Sequence, residues 1–486
     1  LLDQFGRTKI YSDVSAVTAD NVKQVLSDTL VYHITNSAQC DRLYRYYKGD
    51  QPILNRQKEI RPEINNKIVE NRANEIVSFK TGYLCGEPLQ YVSRSSAEKA
   101  SGDIGRLNDM MLLCGKDALD KQLAEWMYIC GAGYRMITPN SQYIRSEIVP
   151  KLLNRQTDFS EDEAPFQIFT LDPRYTYVVY HSSLAEEPLM AVKYVVRVDK
   201  SIVYSVYTPT QYFELDTDNP AGEMRVTRTE NRSFNSIPIV EYPLNNSRLG
   251  IFEIVQPILD AINTVQSNRL DGIEQFIQSL LVLYNCDIDD DTAKALREAG
   301  LIKLKSVGDN KADLKEIAAQ LDQQQTQTLV DYMYQTVLNI VGMPNRNGGS
   351  STSDTGSAVV MRDGWSAAEA RAKSDELMFK QSERQFLKVA LQIIRATVGT
   401  SLTLADVEAK FTRRNYENIA NKSQVLTTML GNPHIHPLLA FEHCGMFSDP
   451  EAAYAMSEEY FKAQQPVTVD PNAGNGGGTG GGDPPV

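Results

Sequence analysis

Apolar residues recur at helical spacing in the first and last thirds of the chain and at alternate positions between them. Val14, Val17, Val22, Val25, Leu26 and Leu30 lie at helix-compatible spacings and predict helix over residues 1–50. Tyr44, Tyr46 and Tyr47 then lead into Lys48-Gly49-Asp50, a turn signal. Ile64, Ile68, Ile76 and Phe79 predict a second amphipathic helix over 64–80, stopping near Gly82, with Gly86 and Pro88 in the turn beyond. Over 166–242 the period falls to two. Val192, Tyr194, Val196 and Val198 alternate with Lys193, Val195 and Arg197, and Ile202, Tyr204 and Val206 continue the pattern. Pro173, Pro188, Pro209 and Pro220 punctuate these runs, as in an antiparallel meander.

From residue 252 the helical period returns, with Ile254, Val255, Ile258, Leu259, Ile262 and Val265 on one face and Pro257 expected in the first turn. Residues 280–310 form a small mixed insertion. It has an apolar run Leu280-Leu281-Val282-Leu283, a short helix over 291–299 closed by Gly300, and the strand-like Leu301-Ile302-Lys303-Leu304. A further helix is predicted over 313–342 from Leu314, Ile317, Leu321, Val330, Met333, Val337 and Val341. Pro344 to Ser357 is a polar loop rich in Asn, Gly, Ser and Thr, a length and composition that mark functional or mobile loops. The longest helix follows over 358–398, with Gly364 its weak point. A smaller helical region reaches 464, and 466–486 is a flexible Gly/Pro tail. The fold class is mixed α+β and helix-rich.

Composition narrows the function. The 486 residues suffice for several compact units. Lys and Arg total 49 against 62 Asp and Glu, a formal charge of −13. A surface that grips nucleic acid throughout needs clustered cations, so this balance excludes it. It does not exclude a protein that DNA must pass without sticking. No stretch approaches the roughly 18–20 apolar residues of a membrane span, and no membrane association is expected. Leu1-Leu2-Asp3-Gln4 carries no signal pattern and no initiator Met, as expected of a trimmed chain. Cys40, Cys85, Cys114, Cys130, Cys286 and Cys444 lie far apart, as free thiols of a reducing compartment do.

Candidate chemistry is sparse. Asp287, Asp289, Asp291 and Glu298 fall at calcium-loop spacing, but Thr292 stands where that loop needs its turn glycine. Capping of the short helix by Asp290 or Asp291 is the better reading. His434, His436, His443 and Cys444 match no zinc spacing. Gly131-Ala132-Gly133-Tyr134 lacks the rest of a nucleotide fingerprint and reads as tight packing. Trp126 and the tyrosines read as core or subunit interface rather than base-stacking platforms. No Walker A, H-E-x-x-H or G-x-S-x-G motif occurs. No catalytic residue, metal site or cofactor is assigned.

Three ordered groups of residues carry a resemblance. The first is Tyr46-Tyr47-x-Gly49, Asn65-Asn66-Lys67-Ile68 and Gly82-Tyr83-x-x-Gly86-x-Pro88-x-x-Tyr91. The second is Ile239-Val240-Glu241-Tyr242 with Asn245-Asn246, Gly250, Glu253 and Leu259-Asp260-Ala261. The third is Pro344-Asn345 and Thr355-Gly356-Ser357-Ala358. Together, over residues 40–400, the chain resembles the portal proteins of tailed phages, specifically the SPP1-type family. The resemblance implies a non-enzymatic, dodecameric ring with wing, stem, clip and crown around an axial channel. The wing would be 1–245, the stem helices 246–279 and 313–343, the clip 280–312, the tunnel loop 344–357, the long helix 358–400, the crown 401–464 and the tail 465–486.

It further implies passage of double-stranded DNA past Asn345, Arg346, Asn347, Gly348, Gly349, Ser350, Ser351, Thr352, Ser353 and Asp354. Docking of the large terminase and then of head-completion or tail adaptor proteins would fall on Asp287, Asp289, Asp290, Asp291, Lys303 and Lys305. Major capsid and scaffolding proteins would be further partners, at a virion vertex assembled in the host cytoplasm. Arg346 is the loop's only basic residue and Asp354 its only acidic one. Two other classes stay open: a metal-dependent nuclease of the packaging machinery, and a helical adaptor or scaffold without a DNA conduit.

Overall fold

The computed structural model describes residues 5–94, 98–143, 163–218, 222–277, 280–284, 313–317, 323–345, 364–412, 419–447 and 450–464. They divide into two compact units, Leu1–Arg414 and Asn415–Val486. The first opens with β1 (Ile10–Ser12), α1 (Val22–Tyr47), α2 (Arg72–Leu84), β2 (Gln90–Ser93), α3 (Glu98–Leu113) and α4 (Lys116–Cys130). Strands β3 (Ala132–Pro139), β4 (Phe166–Leu171), β5 (Thr176–His181) and β6 (Pro188–Val196) follow, then β7 (Ile202–Tyr207), β8 (Gln211–Thr217), β9 (Arg225–Asn231) and β10 (Ile239–Pro243). Next come α5 (Gln256–Ile277), β11 (Leu280–Tyr284), β12 (Asp313–Ile317), α6 (Gln323–Val341), α7 (Trp365–Thr397) and β13 (Val407–Lys410). The second unit holds α8 (Ile419–Leu430), α9 (Pro437–Cys444) and α10 (Pro450–Gln464).

The two-residue repeat becomes a six-stranded sheet, β1-β5-β6-β7-β8-β9, antiparallel except where β1 lies parallel to β5. Met190, Val192, Ile202, Tyr204, Val206, Phe213 and Leu215 face one side, where Val22, Val25 and Leu26 of α1 cover them. The far half of α1 carries Cys40, Leu43 and Tyr46 into a second, larger core built on α4, β3, β10 and α7. One helix of 26 residues thus joins two cores. At the end of α4, Gly131 adopts φ +76°, and a Cβ there would fall 2.0 Å from the Arg248 carbonyl oxygen. At Gly133 it would fall 2.8 Å from Leu123 Cδ1. The lone G-x-G is therefore a packing feature.

The larger core contains charge. Glu383 of α7 has no exposed surface, and its carboxylate lies 3.0 Å from Lys116 Nζ and 3.3 Å from Arg135 Nη1. Asp120 completes the balance, 2.7 Å from Lys116 and hydrogen-bonded by Arg135. The Tyr91 and Tyr242 hydroxyls also donate to Glu383. Burial by itself pushes the Glu383 carboxyl up. Lys116 and Arg135, with the two hydroxyls, outweigh burial and hold it below its ordinary value. Two cations and two anions leave the cluster neutral, the condition under which buried charge is tolerated.

Several sequence expectations move. Helix does not span 1–50: Ile10–Ser12 is a strand because it pairs with β5, and helix begins at Val22. Helix does not span 64–80: it begins at Arg72, and 64–70 has no regular secondary structure. Nor does helix begin at 313. Asp313–Ile317 is a strand paired antiparallel with Leu280–Tyr284, and α6 is described from Gln323. The sequence Asp-Leu-Lys-Glu-Ile alternates as well as it spirals, and the apolar partner at 280 decides the outcome. Helix α7 is described from Trp365, directly after Gly364 at φ +80°. The helix expected at 291–299, the strand at 301–304 and residues 358–363 lie outside the described residues. The antiparallel meander and the first-turn position of Pro257 are as expected.

Replacing Glu383 with Gln should lower the unfolding free energy at pH 7 by about 3–5 kcal/mol, because it leaves two buried cations facing one carboxylate. A carboxyl held below its ordinary 4.5 stabilises the fold above that pH and loses this contribution as pH falls through the folded value. The variant's stability should therefore fall less steeply than the parent's below pH 4.5. Urea denaturation across pH tests this, and parallel profiles would contradict it.

Candidate functional site

Helices α5 and α6 form a hairpin whose far end carries the β11–β12 ribbon. Arg269, late in α5, donates to Gln323 and Gln327 at the start of α6, each at 2.5 Å, so the two helices run antiparallel. The near half of α5 packs by apolar contact, with Leu259 and Ile262 buried. Beyond Ile262 its buried face turns polar: Asn263, Ser267 and Asp271 are each at most 3% exposed.

Residues 64–70 meet that stripe. The Asn66 N–H donates to Asp271 Oδ1 at 2.8 Å, the Ile68 N–H to Ser267 Oγ at 2.9 Å and the Glu70 N–H to Asn263 Oδ1 at 3.0 Å. The match is geometric. Alternate residues of an extended chain repeat about every 6.6 Å, and four residues of helix rise about 6.0 Å. Asn263 also donates to Gln51 at 2.5 Å, and Gln266 to Glu70 at 2.6 Å. At the outer end, Asp271 lies 3.1 Å from Arg56 and 3.0 Å from Lys58. Burial raises the Asp271 carboxyl, but the Asn66 amide and Lys58 outweigh it and hold it low.

The residues singled out by the resemblance now have physical roles. Tyr46 donates to Asp260 of α5 at 2.9 Å, and burial is the main cause that pushes that hydroxyl up. Tyr47 donates to Glu125 at 2.8 Å. Glu241 accepts a two-pronged pair from Arg248 at 2.8 and 2.9 Å and a hydrogen bond from Tyr180 at 2.7 Å, which ties the three-stranded sheet β10-β3-β4 to β5. Glu253, just before α5, accepts from Arg7 at 2.5 and 2.7 Å and from the Gly250 N–H at 3.0 Å. Asn245 bridges the intervening turn through Leu249. Both ends of α5 are therefore fastened by charge-assisted bonds. An arrangement of this kind positions a helix.

Of the residues predicted to line a DNA path, only Asn345 is described. It is half-buried beside a recess of about 190 Å³ that includes Arg72, Tyr334 and Leu338. Arg346 to Asp354, together with Asp287, Asp289, Asp290, Asp291, Lys303 and Lys305, lie outside the described residues. So does the calcium-like spacing. His436 caps α9 by accepting the Leu438 N–H at 3.2 Å. Among the described residues no group of three His, Cys, Asp or Glu is placed to hold a metal ion, and no helix is long and apolar enough to cross a membrane. The described cysteines are free thiols. The stripe Asn263, Ser267 and Asp271 was missed in sequence because a polar i, i+4, i+8 pattern ordinarily marks the solvent face.

Replacing Asp271 with Ala should destabilise the fold by about 3 kcal/mol, since Arg56 and Lys58 lose their shared partner. Amide exchange at Asn66 should accelerate with it, and unchanged protection there would show that the segment is held by other contacts.

Comparison with known proteins places these anchors in a family. Residues 30–466 match the family of phage portal proteins described as SPP1 Gp6-like. The portal protein of Bacillus phage SPP1 is 19% identical over 462 residues, covering 90% of this chain and 84% of the relative. A solved structure described as the neck of an empty GTA particle, computed with C6 symmetry, aligns with a TM-score of 0.42 at 11% identity, covering 77% of this chain and 90% of its own. With the match running from within α1 through α10, and so over the hairpin and the anchors at Tyr46, Glu241, Glu253 and Asp271, the chain belongs to the SPP1 Gp6-like family of phage portal proteins.

Proposed function

We propose that copies of this chain close into a dodecameric ring at one capsid vertex, and that the ring is a non-enzymatic conduit for double-stranded DNA during packaging and ejection. The observation that carries the reading is the hairpin α5–α6, anchored on one face by directional polar bonds and leaving apolar side chains uncovered on others. Tyr332 and Leu329 of α6 are 69% and 50% exposed and Ile273 of α5 is 43% exposed. Burial of such residues against neighbouring copies is what a ring of hairpins supplies. In this reading 1–245 is the wing, the hairpin the stem, 280–312 the clip, 344–357 the tunnel loop, and 401–464 the crown.

Charge supports the conduit. Duplex DNA carries about one charge per 1.7 Å of axis, and a channel crowded with cations would hold it by counterion release. A chain of formal charge −13 opposes such retention. The ring would bind the large terminase through Asp287, Asp289, Asp290, Asp291, Lys303 and Lys305, and later the head-completion or tail adaptor proteins. The major capsid and scaffolding proteins would surround it, with assembly in the host cytoplasm. The nuclease alternative gains no support from the described carboxylates.

Electron microscopy of the purified protein should show rings with an axial hole wide enough for a duplex; solid or monomeric particles under assembly conditions would overturn the proposal. Deletion of Gly348–Asp354 should leave ring formation intact and impair DNA packaging or retention. Reversing the charges of Asp287 to Asp291 should weaken pull-down of terminase and adaptor while rings still form.

A further inference from the structure

The C-terminal end of α6 closes on a left-handed glycine. Gly342 has φ +64°, the Met343 N–H donates to the Leu338 carbonyl at 2.8 Å, and the Gly342 N–H donates to the Asn339 carbonyl at 3.3 Å. This pattern satisfies two of the last carbonyls of the helix. The Ile340 carbonyl and that of Gly342, just past the helix, are taken by cations from other elements. Lys80 of α2, 3% exposed, donates to the Gly342 carbonyl at 3.0 Å, and Arg371 of α7 donates to that of Ile340 at 3.3 Å. A Cβ at Gly342 would fall 2.5 Å from Arg371 Cγ, so the three elements are in close contact.

The chain beyond residue 345 returns to the same place. A Cβ at Gly364 would lie 3.8 Å from Pro344 Cα. The Trp365 ring then sits 6.1 Å from both Phe79 and Tyr83, which flank Lys80 on α2, and Tyr83 donates to Glu369 of α7 at 2.9 Å. One face of α2 therefore grips the chain on both sides of residues 346–363.

We propose that Lys80 and Arg371 are positioning residues for the tunnel loop: they fasten the end of α6 to α2 and α7 and, with Trp365, hold the loop's two chain ends together on one base. This deepens the conduit reading and rests on it for what the loop does. A cation at a helix C-terminus opposes the negative end of the helix dipole. Lys80 occupies its place against a burial cost: burial brings its ammonium down to about 8, with Asp375 pulling upward and Arg371 downward. An apolar residue would fill the space without that cost, so packing alone does not account for a lysine here.

Trypsin can cut this segment at Arg346 and Arg362. In assembled Lys80→Met protein, cleavage at Arg346 should rise roughly tenfold, the effect on an open population of losing one charge-assisted hydrogen bond. Lys80→Arg should restore slow cleavage. Arg371 is exposed, so Arg371→Met tests the clamp even if Lys80→Met fails to assemble; it too should cut faster. Equal rates in parent and variants, including no cutting in any, would overturn the clamp, as would a Lys80→Arg protein cut as fast as Lys80→Met. A normal packaging yield after deletion of Gly348–Asp354 would instead remove the tunnel-loop reading while leaving the cleavage result in place.

Discussion

A carboxylate with no exposed surface must be answered by positive charge, and that need organises the larger core. Glu383 draws Lys116 from α4, Arg135 from β3, Tyr91 from β2 and Tyr242 from β10 onto one residue of α7. Glu383 has no surface open to bulk solvent, so each partner has to hold its place. The long helix is thereby seated against both the sheet and α4. Its first turns, which carry Arg371 and follow Gly364, inherit that seating. Apolar packing by Phe379 and Phe386 surrounds the cluster and excludes water, which strengthens the same electrostatic bonds.

The hairpin is held by a different balance of forces. Hydrophobic contact is non-directional and tolerates sliding. Hydrogen bonds from alternate backbone N–H groups to Asn263, Ser267 and Asp271 do not, because each donor has one acceptor at a fixed spacing. Shifting the segment 64–70 by one residue would turn its N–H groups away from the helix. Anchoring of this kind specifies register and orientation, and leaves apolar surface of the helices, including Tyr332 and Leu329, exposed.

Much of the secondary structure was legible in the residues. The meander, the helices that became α1, α5, α6 and α7, and the turn after Tyr47 all follow from local periodicity and turn chemistry. Where reading failed, a partner distant in sequence had intervened. Residues 64–70 lost their helix because α5 offered their N–H groups better acceptors some 200 positions away. Asp313–Ile317 became a strand because Leu280–Tyr284 pairs with it. The family resemblance rested on residues such as Glu241, Glu253 and Asp260 whose spacing had no local explanation. Each proves to be one half of a long-range polar pair or a tie between elements.

The sequence by itself determined the meander and most of the long helices, the excess of negative charge and the absence of familiar catalytic motifs. These depend on neighbours within a few residues or on simple sums. Tertiary structure alone decided that Asn263, Ser267 and Asp271 face inward, that Glu383 and Lys80 are buried, and that one face of α2 meets both Gly342 and Trp365. A polar side chain looks the same in sequence whether water or a distant residue satisfies it. The choice is made only when the chain closes, as between Tyr91 and Glu383, 292 residues apart.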